Sequence, residues 1–483
     1  MEMQWDKKPC PYMKTDLRQV QSQEHTLELR LTEEMPDIGR VICALGQPVI
    51  RNKEWRNDGM SVSGGISTTV LYLPEDGSGI KTVEGWIPFQ NKYVFTQASR
   101  TGTIRVQPML RNIEARAISA RKMMLRGDIS ILAEALEPAS VQIAHHGELP
   151  EDVEVLTNVY PAITPVEAGE KPFVVDELVS ASDACKWVSF MLQPNGLESN
   201  VIGNRLAIRG SAALHYVYLD EQGRLHDGVQ EVSVSQLADL DREYDKSATA
   251  DMLICVSSLE HSVAVDGVHV QVGLTVQYQI WDHILLEITE DAYSPTCKLS
   301  VTDELLELPV ELDSMCHSMH AEWDFSEGNV LKTTFYPEHP VVFRDGNMAQ
   351  VVCSGVFHHL YLDSDGKLQS ATEKWSDEIG ISASDGCQIQ VTLDDVEETS
   401  TGVKMDVKIH TCAMQQMHMV TGITVGEKHL PDPGKASIVL RRMDEGSLWE
   451  FAKAAGSSVK AIRSVNHLTQ DPLPGQMLLI PVL

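Results

Sequence analysis

The sequence lacks the apolar segments that would carry a chain into or across a membrane. Its 483 residues include no unbroken run of about 18 apolar residues, the length that a membrane-spanning helix needs. Residues 1–21 contain several charged side chains and no apolar core like that of a secretory signal. We therefore expect a protein that stays in the cytosol of the cell that makes it, without insertion into a membrane.

Paired cysteines are also missing. The nine cysteines are scattered, and none forms a Cys-x-x-Cys pair, which favours reduced thiols and gives no basis for a zinc ribbon. Cys316, His317 and His320 offer possible metal ligands close together. Zinc sites use three or four ligands at fixed spacing, however, and no second ligand pair accompanies this group. We expect neither a metal ion nor another cofactor.

Sequence motifs typical of common enzyme classes are absent as well. The chain has no Gly-x-x-x-x-Gly-Lys-Ser/Thr phosphate loop, no Gly-x-Ser-x-Gly turn, no His-Glu-x-x-His and no Gly-x-Gly-x-x-Gly. We expect no enzymatic activity. A hydrolase with catalytic residues dispersed along the chain remains an alternative.

Positive charge is scarce. There are 39 Lys and Arg against 69 Asp and Glu, a formal net charge of −30, so nucleic acid and acidic lipid are poor partners. The segment 436–483 differs, because its charges nearly cancel at about +1, which leaves about −31 on the rest. The end of the chain is therefore electrostatically distinct from the part before it.

A long-period repeat is the clearest regularity that is present. Three similar segments end in a tyrosine followed by leucine, and their tyrosines are almost evenly spaced along the chain: Tyr72, Tyr218 and Tyr361. Asp37 precedes Tyr72 by the same number of residues as Asp183 precedes Tyr218. The third segment has no corresponding aspartate. Each segment runs into an acidic turn that contains glycine. We expect the three tyrosines to occupy equivalent strand positions, in the core rather than as platforms for a sugar.

Within these repeats apolar residues alternate with polar ones. Val268, Val270, Val272 and Leu274 alternate with polar neighbours, and a similar alternation spans 403–409. Strands of this kind bury one face and expose the other. The length alone predicts two to four domains, and the pattern predicts mainly β, antiparallel ones.

The order of these motifs resembles the SPOCS domain of bacterial spore-coat assembly proteins. Further matching stretches are His25–Leu29 with Met35–Ile38, Ala115–Lys122 and Lys171–Glu177. The resemblance implies SPOCS-like repeats at 24–150, at 170–300 and, in divergent form, at 301–428.

A small C-terminal module follows the proline- and glycine-rich linker 430–434. Residues 437–443 are predicted to form a strand, and Ser447 with Glu450 forms a capping-box pattern that begins a helix ending at Gly456. Ser457 or Ser458 is predicted to cap a second helix, and 477–482 to form a closing strand. The predicted order is therefore β-α-α-β.

This module resembles a LysM domain over residues 438–481. LysM domains typically bind polymers of N-acetylglucosamine between two loops, which correspond here to 444–448 and 468–475. The resemblance implies that partner- or glycan-binding residues lie in and beside these loops: Asp444, Glu445, Gly446, Ser447, Leu448, Trp449, Asn466, Leu468, Pro474 and Gly475. Glu445-Gly446-Ser447 replaces the family's Gly-Asp-Thr, which favours protein over glycan as the ligand.

Three SPOCS-like repeats followed by a LysM module are the arrangement of SipL-like coat-assembly proteins. The resemblance implies a non-enzymatic scaffold in the mother-cell cytoplasm at the forespore surface. Its partners would be the stage IV sporulation protein A-like ATPase of the coat basement layer and other coat proteins. Exposed groups around Asp444, Glu445, Trp449, Asn466 and Pro474 are expected to form the contact face, on a module that orients independently of the repeats. A peptidoglycan-binding cell-wall protein is the alternative.

Overall fold

The computed structural model describes residues 5–95, 101–382, 387–399, 401–429 and 436–482. Strands account for 78% of the chain and helices for 3%, and the strand pairs are antiparallel. The mainly β, antiparallel class predicted from the alternating pattern is confirmed. The predicted linker 430–434 lies outside the described residues.

The first group of strands forms two three-stranded sheets. Their orders are β1-β6-β5 and β2-β3-β4. The strands are β1 (Trp5–Arg30), β2 (Ile38–Arg56), β3 (Gly59–Pro74), β4 (Lys81–Val94), β5 (Thr103–Ser119) and β6 (Lys122–His146). Along β4, buried Ile87, Phe89 and Tyr93 alternate with exposed residues, and together with Ile66 and Ile129 they fill the core between the two sheets.

The second group forms sheets of order β10-β11-β7 and β8-β9. The strands are β7 (Glu154–Val179), β8 (Ala184–Asp220), β9 (Leu225–Tyr244), β10 (Thr249–Ala264) and β11 (Gly267–Tyr293). β8 folds back on itself at Gly203, which has a φ of +60°. Its two halves then lie so close together that a Cβ on Gly210 would be 2.2 Å from the carbonyl oxygen of Gly196. β8 therefore occupies two strand positions.

The third group forms a sheet of order β12-β18-β17 and a four-stranded sheet centred on β15. The strands are β12 (Cys297–Glu322), β13 (Asn329–Pro337), β14 (Val341–Asp345), β15 (Met348–Leu362), β16 (Leu368–Ser382), β17 (Gln388–Glu398) and β18 (Gly402–Lys428). Gly346, between β14 and β15, has a φ of +56°, close to that of Gly203. Gly203 and Gly346 precede Tyr218 and Tyr361 by the same number of residues, and both have the positive φ that hairpin turns favour.

The same pairing occurs in all three groups. The first long strand pairs antiparallel with the last, as β1 with β6, β7 with β11 and β12 with β18. The strand before the last also pairs with it. Each first strand begins before the predicted repeat boundary, because its pairing extends along nearly the whole last strand.

The three groups pack against one another at both ends. At one end, the residues directly before the three tyrosines, Leu71, Val217 and Leu360, are buried in one apolar cluster. That cluster also contains Ile42, Val188 and Leu331, which precede the respective tyrosines at equal distances. At the other end, the far halves of the long strands pack together through another cluster: Ile143, Ala162, Leu286, Ile288, Leu306, Met417 and Met419.

A buried charged cluster lies between these two ends. Arg105 of β5, with 0% of its surface exposed, donates to Asp251 of β10 at 2.5 Å and to Gln279 at 2.9 Å, with Glu134 at 3.5 Å. Asp251 also faces His410 of β18 at 3.6 Å and, more distantly, Lys408. The cluster thus joins all three groups.

The charge state of Asp251 follows from these contacts. Burial opposes its ionisation, but attraction by Arg105, His410 and Lys408 outweighs burial and holds the pKa of Asp251 far below its usual value. Arg105, Asp251 and Asp394 follow the tyrosines of the first, second and third segments at one and the same distance. The corresponding residue is thus an arginine in the first segment and an aspartate in the other two, and these opposite charges lie where the groups meet.

We expect Arg105→Ala to lower the free energy of unfolding by about 3 to 5 kcal/mol, because it removes the buried cation that Asp251 and Glu134 share. Denaturant titration of the full chain measures this change. Arg126→Ala is the control, since Arg126 pairs with Glu24 at the surface, where an ion pair contributes at most about 1 kcal/mol. Equal losses in the two variants would contradict a special role for the buried cluster.

Candidate functional site

The C-terminal module consists of two short strands and two helices. They are β19 (Ile438–Arg442), α1 (Leu448–Ala455), α2 (Val459–Val465) and β20 (Met477–Pro481), with β19 and β20 paired antiparallel. The helices cover the face that carries buried Leu478 and Ile480. The elements form in the order that the residue pattern predicts.

The helix ends fix the first of the two predicted binding loops. The Ser447 side chain accepts from the backbone N–H of Glu450, and the Glu450 carboxylate accepts from the N–H of Ser447, so the predicted capping box is present. Gly446 has a φ of +135°, and a Cβ there would lie 2.7 Å from a Glu450 carboxylate oxygen. A side chain at position 446 would therefore disturb the cap. Gly456 ends α1 in the left-handed conformation, and Ser458, one of the two predicted candidates, caps α2.

The second loop lies directly beside the first. The N–H of Met443 donates to Gln476, and the N–H of Gly475 donates to the carbonyl of Met443. Since residue 444 begins the first loop and Gly475 ends the second, these bonds hold the loops side by side. The two predicted walls of the LysM groove are thus adjacent.

The predicted site residues divide by exposure. Asp444, Glu445, Gly446, Ser447 and Pro474 are exposed, and Asn466, Leu468 and Gly475 are half-buried. Leu448 and Trp449 are buried at 5% and 9%. The expectation that Trp449 belongs to an exposed contact face is therefore wrong.

Trp449 instead joins the module to the second group of strands. Its indole N–H donates to Asp291 at 2.8 Å, and its ring lies edge-on to Tyr293 with centroids 4.7 Å apart. Lys453 also pairs with Asp291, and the Tyr293 hydroxyl donates to the carbonyl of Ser457 at 2.9 Å. These contacts correct the expectation that the module orients independently. No pattern in the sequence indicated them, because Asp291 and Tyr293 lie far from the module along the chain.

The side chain of Asn466 has a structural role. Its amide donates to the carbonyl of Leu479 and its oxygen accepts from the N–H of Leu479. A third bond links the amide to the carbonyl of Ile462. These bonds attach α2 to β20, so the Asn466 amide is engaged within the module rather than presented to a ligand.

An exposed apolar face on the module was missed in the sequence. The outer side of the β19–β20 pair presents Ile438, Leu440, Met477 and Leu479, which are 40–57% exposed. Leu473 of the second loop is 74% exposed. Alternation within the predicted strand 437–443 could have indicated this face, since Ile438 and Leu440 share one side of it.

The three tyrosines make the same kind of bond. The hydroxyl of Tyr72 donates to the Pro36 carbonyl, that of Tyr218 to Asp183 and that of Tyr361 to Glu327, at 3.0–3.2 Å. The acceptors lie at nearly the same distance before their tyrosines along the chain. Glu327 thus supplies an acceptor in the third segment, where the sequence shows no aspartate.

The environments of the tyrosines agree only in part with the expected core positions. Tyr72 and Tyr361 are buried, with 0% and 8% exposed. Tyr218 is half-buried in an aromatic group with Trp187 and His226. The core expectation is therefore correct at two of the three positions.

The turns after the second and third tyrosines share one geometry. The Asp220 carboxylate accepts from the backbone N–H groups of residues 222 and 224, and the Asp363 carboxylate accepts from those of 365 and 367. Each carboxylate also receives a bond from a side chain just beyond the turn, His226 or Gln369. The aspartates therefore fix both turns in the same way.

Comparison of the chain with protein-family models, curated proteins and solved structures gives no match. Within the described ranges, no three His, Cys, Asp or Glu side chains are grouped as a metal site requires. In the same part of the chain, no helix has the length and apolar character needed to span a membrane.

We expect Asp291→Ala to loosen the module, because it removes the carboxylate that binds both Trp449 and Lys453. Hydrogen–deuterium exchange of the full chain should become faster in 448–459 and in 290–293. Asp365→Ala is the control, since Asp365 is an exposed aspartate that pairs with Lys367 in the turn after Tyr361. Unchanged exchange in Asp291→Ala would contradict a docked module.

Proposed function

We propose that the chain is a non-enzymatic scaffold of spore-coat assembly, with three SPOCS-like repeats and a LysM-like docking module. Its direct partner would be the stage IV sporulation protein A-like ATPase of the coat basement layer, at the forespore surface, with other coat proteins around it. One observation carries this proposal. A nearly neutral module is attached to a strongly acidic body, which consists of the three groups of strands and repeats the same strand pairing in each group. Such a body suits a rigid carrier, and the module suits a contact part.

Four features support the view that the three groups are copies of one domain. They share the pairing of first and last strands, the tyrosine hydroxyl bond and, in two groups, the aspartate turn. A cavity of about 420 Å³ between the groups is lined by Pro48, Pro194 and Pro337, which precede the three tyrosines at equal distances. Duplication of one domain would place residues with the same packing, bonding or turn-forming role at equal spacing along the chain, as observed here.

The element order and the adjacent loops support a LysM-like module. The loops remain accessible, because the module meets the body through α1 and the α1–α2 turn. The near-neutral charge of the module allows it to approach an acidic surface that repels the body. Such repulsion is screened within about 10 Å at 0.1 M salt. A protein surface is therefore the proposed ligand of the module.

Leu473→Glu tests this proposal in sporulating cells. A fluorescent fusion of the full chain should gather at the forespore, and the variant should be diffuse, because a charge replaces a leucine on the contact face. Leu285→Glu is a matched control, since both leucines are 74% exposed and Leu285 lies on the body. A diffuse wild-type fusion, or forespore localisation of Leu473→Glu, would contradict the proposal.

Peptidoglycan binding is the second candidate, and the exposed, adjacent loops favour it. Full chain should then sediment with purified peptidoglycan, and Asp444→Ala with Glu445→Ala should abolish that sedimentation. Sedimentation that depends on these two residues would support the wall-binding function over docking on protein.

We also propose that the chain needs no metal. Cys316, His317 and His320 lie on β12, and they form no group with a further ligand among the described residues. Metal analysis of the purified protein should find less than one zinc or copper ion per chain. Stoichiometric metal that is lost in His317→Ala with His320→Ala would overturn this expectation.

A further inference from the structure

The backbone of β19 has a free edge. In the β19–β20 pair, Leu440 lies opposite Leu479. The N–H and C=O of Leu479 point away from β19, since both bond to Asn466. In antiparallel pairs, opposed residues direct their backbone groups either both toward each other or both away. The N–H and C=O of Leu440 therefore point outward, at the edge of β19.

The two edges of this small sheet differ. Asn466 closes the β20 edge at Leu479, whereas no strand among the described residues pairs with the outer edge of β19. On either side of β19, the N–H of Val482 donates to the carbonyl of Ser437, and the N–H of Met443 donates to the carbonyl of Gln476. Every second residue from 437 to 443 therefore faces the partner strand, and Leu440 lies between two that do. An open edge with unpaired backbone groups can receive a further strand.

The side chains of β19 indicate the chemistry of such a strand. Ile438 and Leu440 are 51% and 57% exposed on the outer face. Arg441 and Arg442 are exposed, and within the described residues neither forms an ion pair. By contrast, Lys453 and Arg463 of the module pair with Asp291 and Asp471. β19 thus combines apolar surface with two positive charges that form no ion pair within the described residues.

We infer that β19 binds an extended segment of a partner protein as an added strand, with apolar residues against Ile438 and Leu440 and acidic residues beside Arg441 and Arg442. This inference rests on the proposed function in taking the module as the part that docks. A second copy of the chain fits less well. It would bring another acidic body of about −31 and place the same two arginines at the junction.

A synthetic peptide tests the site with the full chain. The probe is an octapeptide of alternating valine and glutamate with both termini blocked, and its counterpart carries an N-methyl group on every residue. The first peptide should bind and slow amide exchange in 438–442 more than in 477–481, and added salt should weaken it. The N-methylated peptide should not bind, because its donors are blocked.

Leu440→Pro should weaken binding about tenfold or more, because it removes the outward N–H while β19 keeps its bonds to β20. Unchanged exchange in α1 and α2 would show that the module remains folded. Leu440→Ser should also weaken binding, and Leu305→Ser, at a 61% exposed leucine of the body, should not. Neutralisation of both charges in Arg441→Gln with Arg442→Gln should abolish the weakening by salt.

Failure of the peptide to bind, equal binding by Leu440→Pro, or protection at 477–481 alone would overturn the inference. Dimerisation of the free chain that Leu440→Pro abolishes would also overturn it, since the occupant would then be a second copy. Peptide binding without forespore localisation would leave the β19 site standing and overturn the proposed function. Forespore localisation without peptide binding would leave the proposed function standing and overturn the β19 site.

Discussion

The buried guanidinium of Arg105 constrains the arrangement of the whole body. A charge without solvent contact is tolerated only where opposite charges and hydrogen-bond acceptors surround it. Glu134 comes from its own group of strands, but Asp251 and Gln279 come from the second, and Asp251 in turn faces His410 of the third. Each group by itself would leave part of this cluster unpaired. The groups therefore satisfy their buried charges only when all three are assembled.

Apolar packing on either side of this cluster has the same consequence. The strands that leave each two-sheet core are too long to be covered by that core. Their far halves bury Ile143, Leu286 and Met417 against one another, and Leu71, Val217 and Leu360 meet at the opposite end. Contacts at three levels along the body favour a single rigid unit, and such a unit suits a carrier better than a chain of loosely linked domains.

The module extends this rigidity to the docking part of the chain. Asp291 and Tyr293 hold the helical side of the module through Trp449 and Ser457, and the outer face of β19 and most residues of the two loops remain exposed. A module that is held in a fixed orientation loses less conformational entropy on binding than one on a flexible linker. The acidic body would repel an acidic partner, whereas Arg441 and Arg442 attract one. In the proposed function, the module would thereby be the part of the molecule that binds the partner.

Local features could be predicted from the sequence, because alternation, caps and turns depend on neighbouring residues. The mainly β class followed from runs such as 268–274, and the first helix of the module followed from Ser447 and Glu450. The spacing of Tyr72, Tyr218 and Tyr361 also indicated corresponding positions in the three segments before any contact was known.

Contacts between distant residues became apparent only in the folded chain. The burial of Trp449 depends on Tyr293, and the partner of Tyr361 is Glu327 rather than an aspartate, because any carboxylate or carbonyl at the right distance can accept the hydroxyl bond. Arg105 carries no sign in the sequence of its burial or of its pairing with Asp251. The β20 edge is likewise closed by one side chain, Asn466, which reaches from the end of α2 to a strand that follows the second loop.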